Sequence, residues 1–391
     1  MFEIIDREDR GGERDTVIKV IGIGGAGGNA VDHMIREGVN GVDFITANTD
    51  SQALGRSVAV DRLQLGKSGL GAGAKPEAGR SAAMEARDAI AEALTGAHMV
   101  FITAGMGGGT GTGAAPIVAE VARELGVLTV AVVTKPFGFE GKRLKIAEAG
   151  IAELQKHVDS LIVILNDRLM DVLGDDVSMD DAFKAADNVL RNAVGGIAEI
   201  INFPGLVNVD FEDVRTVMGE MGMAMMGSAN AAGVDRARIA AERAVASPLL
   251  EGVNLSGAKG VLVNITATRS LKMKEVNEVM NTVRAFAADD AHIIFGAVYD
   301  ESIGDDIRVT VVATGLGHTQ AKRQSFEVIN SSLTQATGTD GRFANGQGID
   351  YSSLDQTPAV FRKGRSATVE ALANSGVDRW DIPAFLRKQA D

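Results

Sequence analysis

The segment that most restricts the fold of this chain is a glycine-rich loop at residues 105–113. Its sequence is Gly-Met-Gly-Gly-Gly-Thr-Gly-Thr-Gly. The apolar run Met99–Ala104 before it predicts a buried strand, and the apolar spacing after Ala114 predicts a helix with Pro116 in its first turn. Glycines let successive backbone N–H groups point at one spot, and a helix N-terminus adds unpaired donors, so this order of elements predicts an anion site that suits phosphate. The candidate phosphate contacts are Gly108, Gly109, Thr110, Gly111 and Thr112.

A second glycine-rich loop, at residues 22–29, follows the predicted strand Val17–Ile21. It reads Gly-Ile-Gly-Gly-Ala-Gly-Gly-Asn, and the apolar residues beyond it predict a helix that begins near Asn29. The predicted strand Phe44–Ala47 comes next, so the order here is strand, glycine loop, helix and strand. Two glycine loops on one sheet favour a phosphate chain held from two sides.

The loop at residues 22–29 also supports a different class of protein. Gly22, Gly24 and Gly27 satisfy the pattern G-x-G-x-x-G, and Asp50 stands roughly where a ribose-binding acid belongs. An NAD-binding oxidoreductase with a Rossmann fold is therefore an alternative. A dinucleotide fold normally places its phosphates on one such turn, so the other glycine loop argues against this alternative.

Further buried strands, Leu128–Thr134 and Leu161–Leu165, alternate with helical patterns and predict a doubly wound, mostly parallel α/β sheet. Glu140 and Arg143 lie in the loop after the first of these strands, where such folds place ligands. The same two residues fit an exposed ion pair equally well, so their spacing alone leaves both interpretations open.

Apolar residues recur at three- and four-residue spacing from residue 178 to residue 202 and predict a long helix buried between two domains. Asp187 lies near its start, whereas Asp210 and Asp213 follow its end. A helix rises 1.5 Å per residue, so about 30 Å separates them and they cannot serve one ligand in one subunit. Asn208, Asp210 and Asp213 form a small acidic cluster, although Asp210 also fits a helix N-cap.

Composition narrows the possible partners and the location. The net charge of −13 argues against a nucleic-acid or anionic-membrane surface, and the absence of cysteine excludes disulfide and thiolate chemistry. Residues 1–15 lack the apolar core of a signal peptide, and no apolar run is long enough to span a bilayer. These features predict a cytoplasmic protein that neither binds nucleic acid nor inserts into a membrane.

Three motifs, in this order along the chain, resemble the tubulin/FtsZ GTPase family. Residues 105–113 resemble its signature loop, residues 208–214 (Asn-Val-Asp-Phe-Glu-Asp-Val) resemble the catalytic loop of its bacterial members, and Asp381–Arg387 resembles their adaptor-binding peptide. The resemblance implies a GTPase that assembles head to tail into protofilaments and forms the cytokinetic ring at midcell. It also implies GTP or GDP as ligands, with Mg²⁺ held mainly by the nucleotide.

The resemblance further implies roles for particular residues. Asn208, Asp210 and Asp213 are expected to act on the GTP of the next subunit. The interval from Glu140 to Arg143 is three residues, one fewer than in the family pattern. The expected nucleotide contacts are Gly25, Ala26, Gly27, Gly28, Asn29, Gly109, Thr110, Gly111, Glu140, Arg143 and Asp187.

The expected partners are other copies of the chain, assembly regulators, and a membrane-tethering adaptor such as the actin-like FtsA, bound through Asp381–Arg387. The segment around Trp380 has apolar anchors and basic ends, which is typical of a peptide that docks on a partner. A nucleotide-gated scaffold without useful turnover remains an alternative to an enzyme.

The predicted fold is therefore an α/β GTP-binding domain with a doubly wound, mostly parallel sheet, joined by a long central helix to a smaller α+β domain. A disordered linker, rich in Ser, Thr, Gln, Ala and Gly, and a C-terminal peptide follow. The predicted divisions are 1–15 (disordered arm), 16–177 (GTP-binding domain), 178–203 (central helix), 204–227 (catalytic loop and following segment), 228–316 (α+β domain), 317–376 (linker) and 377–391 (tail peptide).

Overall fold

The computed structural model describes residues 16–174, 176–202, 207, 209–220, 222–247, 258–288 and 291–316. The predicted arm 1–15, linker 317–376 and tail peptide 377–391 lie outside these described residues. Asn208 of the predicted acidic cluster also lies outside them.

The described residues form strands and helices that alternate along most of the chain. The strands are β1 (Ile18–Ile23), β2 (Asp43–Asn48), β3 (Asp61–Gln64), β4 (Met99–Gly105), β5 (Leu128–Lys135), β6 (Ser160–Leu165), β7 (Gly222–Ala231), β8 (Gly260–Ala267), β9 (His292–Tyr299) and β10 (Ile307–Leu316). The helices are α1 (Gly24–Arg36), α2 (Ser51–Arg56), α3 (Pro76–Glu85), α4 (Arg87–Leu94), α5 (Thr110–Glu124), α6 (Lys142–Leu154), α7 (Asn166–Leu173), α8 (Met179–Asn202), α9 (Phe211–Met218), α10 (Arg236–Val245) and α11 (Met273–Phe286). None of these described helices has both the length and the apolar character needed to cross a bilayer.

The strands of the described residues form one sheet in the order β3-β2-β1-β4-β5-β6-β7-β10-β8-β9. Neighbouring strands are parallel except where β10 runs antiparallel to β7 and β8. Strand β7 joins the two parts of the sheet, because it pairs with β6 at Ser160 and Gly222 and with β10 on its other side. The predicted α/β fold with a mostly parallel sheet is confirmed.

Helices cover both faces of the parallel part of the sheet. On one face α1, α8 and α9 pack against side chains that include Val20 and Phe101, and on the other α3 to α6 pack against side chains that include Ile21 and Ile102. The long helix α8 contacts β5 as well as β8, β9 and β10. Its apolar face is therefore buried along both parts of the sheet, as its residue spacing predicts.

Two helices begin earlier than the sequence predicts. Helix α1 begins at Gly24 rather than near Asn29, and α5 begins at Thr110, which places Pro116 inside the helix rather than in its first turn. The low helix propensity of glycine favours a loop at both places. Tertiary packing overrides that preference in α1. The helix lies so close to β4 that a Cβ at Gly27 would overlap a carbonyl oxygen of that strand, so glycine is required within the helix.

Strand β7 is absent from the sequence-based prediction. Its sequence, Gly-Met-Ala-Met-Met-Gly-Ser-Ala-Asn-Ala, has no β-branched or aromatic side chain, and those are the residue types that indicate a strand. Its methionines Met225 and Met226 are buried and fill the core. The predicted boundary between residues 227 and 228 falls inside this strand.

Candidate functional site

The loops after neighbouring parallel strands meet at one edge of the sheet. The strand registers pair Ile23 with Ala104 and Gly105 with Thr134, so β1, β4 and β5 end at the same level. The segments that follow these strands line a cleft of about 320 Å³. The predicted site residues on its walls are Gly25, Ala26, Gly108, Gly109, Thr110, Gly111, Glu140 and Arg143.

The glycine loop between β4 and α5 folds back against β5. The Met106 N–H donates to the carbonyl oxygen of Thr134 at 2.9 Å, and Gly107 has a φ of +97°, a conformation that favours glycine. The Gly107 N–H donates to Thr112 Oγ1 at 2.8 Å, so Thr112 is buried beneath the loop. Of the two predicted threonine contacts, Thr110 lines the cleft and Thr112 does not.

The first turns of α1 divide the predicted contacts at residues 25–29 between two spaces. Gly25 and Ala26 line the cleft, whereas Gly25, Gly28 and Asn29 line an adjoining cavity of about 290 Å³. Gly27 faces the sheet, where a Cβ would overlap the carbonyl oxygen of Thr103. Gly27 therefore allows α1 to lie close to the sheet and does not face either space.

Glu140 and Arg143 form an ion pair on the wall of the cleft. Arg143 Nη1 donates to Glu140 Oε2 at 2.6 Å, and Glu140 Oε1 accepts the Phe137 N–H at 3.1 Å. The guanidinium lies beside Gly108, since a Cβ built on that glycine would be 3.7 Å from Arg143 Nη2. The Arg143 side chain is 57% exposed, so it can pair with an anion in the cleft while it remains bonded to Glu140.

Eight of the described residues on the cleft wall are missing from the sequence-based site, and two of them, Asn166 and Phe183, lie on helices α7 and α8, respectively. Asn166 begins α7 and is buried, and its Oδ1 has no hydrogen-bond partner in the described part of the chain. Phe183, on α8, is 45% exposed and packs edge-on against Phe137 with 5.7 Å between ring centroids. A polar residue directly after a buried strand is the signal that identifies Asn166. Phe183 matches the apolar spacing of α8 and has no separate signal.

Asp187 lies one helical turn beyond Phe183, on the same side of α8. Burial raises the pKa of the Asp187 carboxyl to about 6, and the charge of nearby His33 opposes this rise. His33 Nε2 lies 2.8 Å from Asn188 Oδ1, so α1 and α8 are joined at this point. Phe183 rather than Asp187 forms the cleft wall itself. A carboxyl with a raised pKa beside a cleft is nevertheless typical of a ligand contact.

Asp210 and Asp213 lie at the other end of the sheet. Asp210 caps α9, because its Oδ1 accepts the Asp213 N–H at 2.8 Å, and both residues are exposed. Phe211, between them, packs edge-on against His98 with 6.2 Å between ring centroids. His98 directly precedes β4 and the glycine loop directly follows it, and a strand of 7 residues spans about 23 Å. The structure therefore separates these carboxylates from the cleft of the same chain.

Two sequence-family models match the chain. The Tubulin/FtsZ family, GTPase domain, matches residues 17–174, and the FtsZ family, C-terminal domain, matches residues 222–317. Cell division protein FtsZ of Wigglesworthia glossinidia brevipalpis is 54% identical to this chain over 100% of both proteins. Cell division protein FtsZ of Pseudomonas aeruginosa is 53% identical, also over 100% of both. This chain belongs to the FtsZ family.

Solved structures of FtsZ and of a more distant relative have the same fold. The empty FtsZ dimer of M. jannaschii has a TM-score of 0.74 and 43% sequence identity, covering 77% of this chain and 88% of that one. CetZ2 from Haloferax volcanii shares the fold alone at 20% identity, with a TM-score of 0.65, over 77% of this chain and 94% of its own. As a member of the FtsZ family the chain is a GTPase of the cell-division cytoskeleton, and FtsZ membership replaces the alternative of an NAD-binding oxidoreductase.

Proposed function

We propose that this FtsZ-family chain hydrolyses GTP where two copies meet head to tail, so that assembly completes the active site. The observation that supports the proposal is the position of Asp210 and Asp213. They lie at one end of β4, a strand of 7 residues, and the cleft lies at its other end. Both residues are exposed, so the cleft of a second copy can reach them. In that copy's cleft the carboxylates position and polarise the attacking water.

The glycine loops hold the triphosphate in this proposal. Gly108 and Gly109 on one wall, and Gly25 and Ala26 on the other, supply backbone N–H groups at the starts of two helices. Arg143, beside Gly108, adds a positive charge. These groups match the negative charge and the several acceptor oxygens of a nucleoside triphosphate. The ribose lies near the Glu140 carboxylate, which accepts hydrogen bonds from its hydroxyl groups.

Guanine occupies the part of the cleft next to α8. Guanine presents an N1–H and a 2-amino group, and these donors match two acceptors, the Asp187 carboxylate and Asn166 Oδ1. Asn166 Oδ1 has no hydrogen-bond partner among the residues that the structure describes. The exposed ring of Phe183 offers a flat apolar face on which the base stacks. Adenine has an acceptor where guanine has its N1–H, so the same groups discriminate against ATP.

Mg²⁺ fits this site as an ion bound mainly by the nucleotide. Among the residues that the structure describes, no group of three His, Cys, Asp or Glu side chains is placed to hold a metal ion. Glu140, on the cleft wall, is already paired with Arg143. Phosphate oxygens and water are the ligands that we expect for the ion, which would supply positive charge at the transferred phosphoryl group when it is bound.

We also propose a cellular role for this chain, based on its relatives. The M. jannaschii relative was solved as an FtsZ dimer. We extend this to head-to-tail homopolymers of the present chain that form a ring at midcell, in the cytoplasm. The segment Asp381–Arg387, outside the described residues, then connects the polymer to a membrane-tethering adaptor such as FtsA, and assembly regulators act on the polymer.

Phosphate release measured across a range of protein concentrations tests the proposal. A site shared between copies predicts that specific activity rises steeply as the chain assembles. Specific activity that stays constant down to dilute monomer would contradict the shared site. GTP-dependent assembly with less than one phosphate released per bound nucleotide would instead indicate a nucleotide-gated scaffold.

A further inference from the structure

Thr49 lies directly behind the glycine loop that we propose binds phosphate. It follows the last residue of β2 and is buried, and its hydroxyl oxygen lies 2.7 Å from Thr110 Oγ1. Thr110 lines the cleft, whereas Thr49 is not among the described residues on the cleft walls. Thr49 therefore reaches a ligand in the cleft only through Thr110.

The two hydroxyl groups restrict each other, because each has one proton and only one of the two protons lies between them. If Thr110 donates to Thr49, Thr110 has no proton for the cleft. If Thr49 donates to Thr110, the Thr110 proton is free for an anion. An anion in the cleft therefore favours the second arrangement, a chain of two hydrogen bonds in which each polarises the next.

The backbone of Thr49 is fixed by the loop that follows β3. Its carbonyl oxygen accepts the Gly71 N–H at 3.1 Å. That loop returns to the glycine loop of the cleft, because a Cβ built on Gly109 would lie 2.8 Å from Ala72 Cβ. Thr49 is thus held both at its backbone and at its side chain, which gives its hydroxyl a defined place behind the cleft.

We propose that Thr49 is a positioning residue for nucleotide binding, whose hydroxyl donates to Thr110 and so directs the Thr110 proton to a phosphate oxygen. This inference rests on the proposed GTP site. It requires that the Thr49 hydroxyl contributes to nucleotide affinity without touching the nucleotide, and only while Thr110 keeps its own hydroxyl.

A double-mutant cycle tests this role with Thr49→Val, Thr110→Val and the double variant in the full-length protein. Dissociation constants for GTP and GDP are measured at concentrations too low for assembly, and thermal unfolding without nucleotide checks the fold. The loss of the Thr110 hydrogen bond to phosphate predicts about fivefold weaker binding for Thr110→Val. Thr49→Val loses only the polarisation and orientation of that bond, so it should bind more weakly than the wild type by a smaller factor. The double variant should bind no more weakly than Thr110→Val alone.

Two further variants separate positioning from packing. Thr49→Ser keeps the hydroxyl and should bind like the wild type. Thr103→Val is the matched control, because Thr103 is buried in β4 and its hydroxyl has no partner among the described residues. The nucleotide affinity of this variant should equal that of the wild type. If Thr49→Val does not fold, Thr49→Ala removes the same hydroxyl without placing a methyl group against Thr110, and the same result is expected.

Two results would overturn the role of Thr49 and leave the proposed GTP site standing. One is an additive loss in the double variant. The other is Thr49→Val binding as tightly as Thr103→Val while Thr110→Val binds weakly. Unchanged affinity in Thr110→Val would instead contradict the phosphate contact itself, and the inference for Thr49 with it.

Discussion

The ring of Phe211 packs edge-on against the ring of His98, with 6.2 Å between their centroids. His98 is held in turn, because the Val17 N–H donates to its Nδ1 at 3.0 Å. Since His98 is the residue before β4, this contact fixes the start of α9 at the amino end of that strand. Asp210, the neighbour of Phe211, is thereby kept away from the cleft of its own chain. A site shared between copies requires this geometry.

Gly108→Ala should weaken GTP binding without unfolding the chain. The added Cβ would lie 3.7 Å from Arg143 Nη2, an ordinary contact, and Gly108 does not have a positive φ. The methyl group would instead occupy space in the cleft and hold phosphate away from the loop. We expect at least about a tenfold loss of affinity, the loss typical of one charged hydrogen bond.

The matched control is Gly55→Ala on the surface helix α2, where an added Cβ meets no heavy atom within 4 Å. Its nucleotide affinity should equal that of the wild type. Equal affinities for GTP in both variants, measured by equilibrium binding, would show that the loop at residues 105–113 does not hold phosphate.

Nucleotide affinity should fall as the pH decreases through about 6, the pKa to which burial raises Asp187. Only the ionised carboxylate accepts both guanine donors, so at pH 5 about one Asp187 in ten can bind and the affinity should be about tenfold lower than at pH 7. His33→Gln should move the midpoint to higher pH, because the charge of His33 lowers the pKa of Asp187. GDP dissociation constants measure this, and a flat wild-type profile would exclude Asp187 as a base contact.

The same pKa makes a separate prediction for the stability of the nucleotide-free protein. The fold favours the neutral carboxyl of Asp187, so the ionised form lowers the free energy of unfolding at neutral pH. This cost decreases as the pH falls through about 6 and disappears below the ordinary value of 3.8. Asp187→Asn should therefore unfold at a higher temperature than the wild type at neutral pH, with a difference that shrinks toward pH 4. A difference that grew on acidification would mean that the sign of the shift is wrong.

The sequence reveals the cleft through its glycines and misses features that only tertiary packing decides. A glycine-rich loop between a buried strand and a helix has few other uses, so residues 105–113 indicate the site directly. Thr112 and Thr110 look alike in sequence, and only the folded loop shows that the Thr112 hydroxyl accepts the Gly107 N–H. Phe183 could not be distinguished from the core residues of α8, because its exposure depends on where the cleft opens.

Deleting residues 377–391 should leave GTP hydrolysis and polymerisation largely intact while abolishing adaptor binding. The physical reason is the predicted linker 317–376, whose composition uncouples a terminal peptide from the folded part of the chain. Phosphate release, sedimentation of polymers and adaptor binding are measured on the same preparation. A truncated chain that no longer hydrolysed GTP at assembling concentrations would place the peptide in the catalytic machinery.

Asp210→Asn and Asp213→Asn should bind GTP about normally and hydrolyse it poorly. Asparagine caps a helix as well as aspartate does, so Asp210→Asn removes the charge and keeps the start of α9. Loss of a carboxylate that acts only on the next copy costs transition-state stabilisation and not ground-state affinity. Asp235→Asn, the same change at the start of α10, is the control and should retain full activity.

Mixing two inactive variants tests the shared site most directly. Gly108→Asp places a negative charge in the cleft and should not bind GTP, yet it keeps Asp213. Asp213→Asn should bind GTP but lacks the carboxylate that we propose acts in catalysis. Head-to-tail contacts are heterologous, so in a random equal mixture about a quarter of the junctions combine an intact cleft with an intact acidic segment. We predict that the mixture hydrolyses GTP well above the sum of the two variants measured alone. Polymers that contain both variants but show no activity beyond that sum would contradict the shared site and return catalysis to the cleft of a single chain.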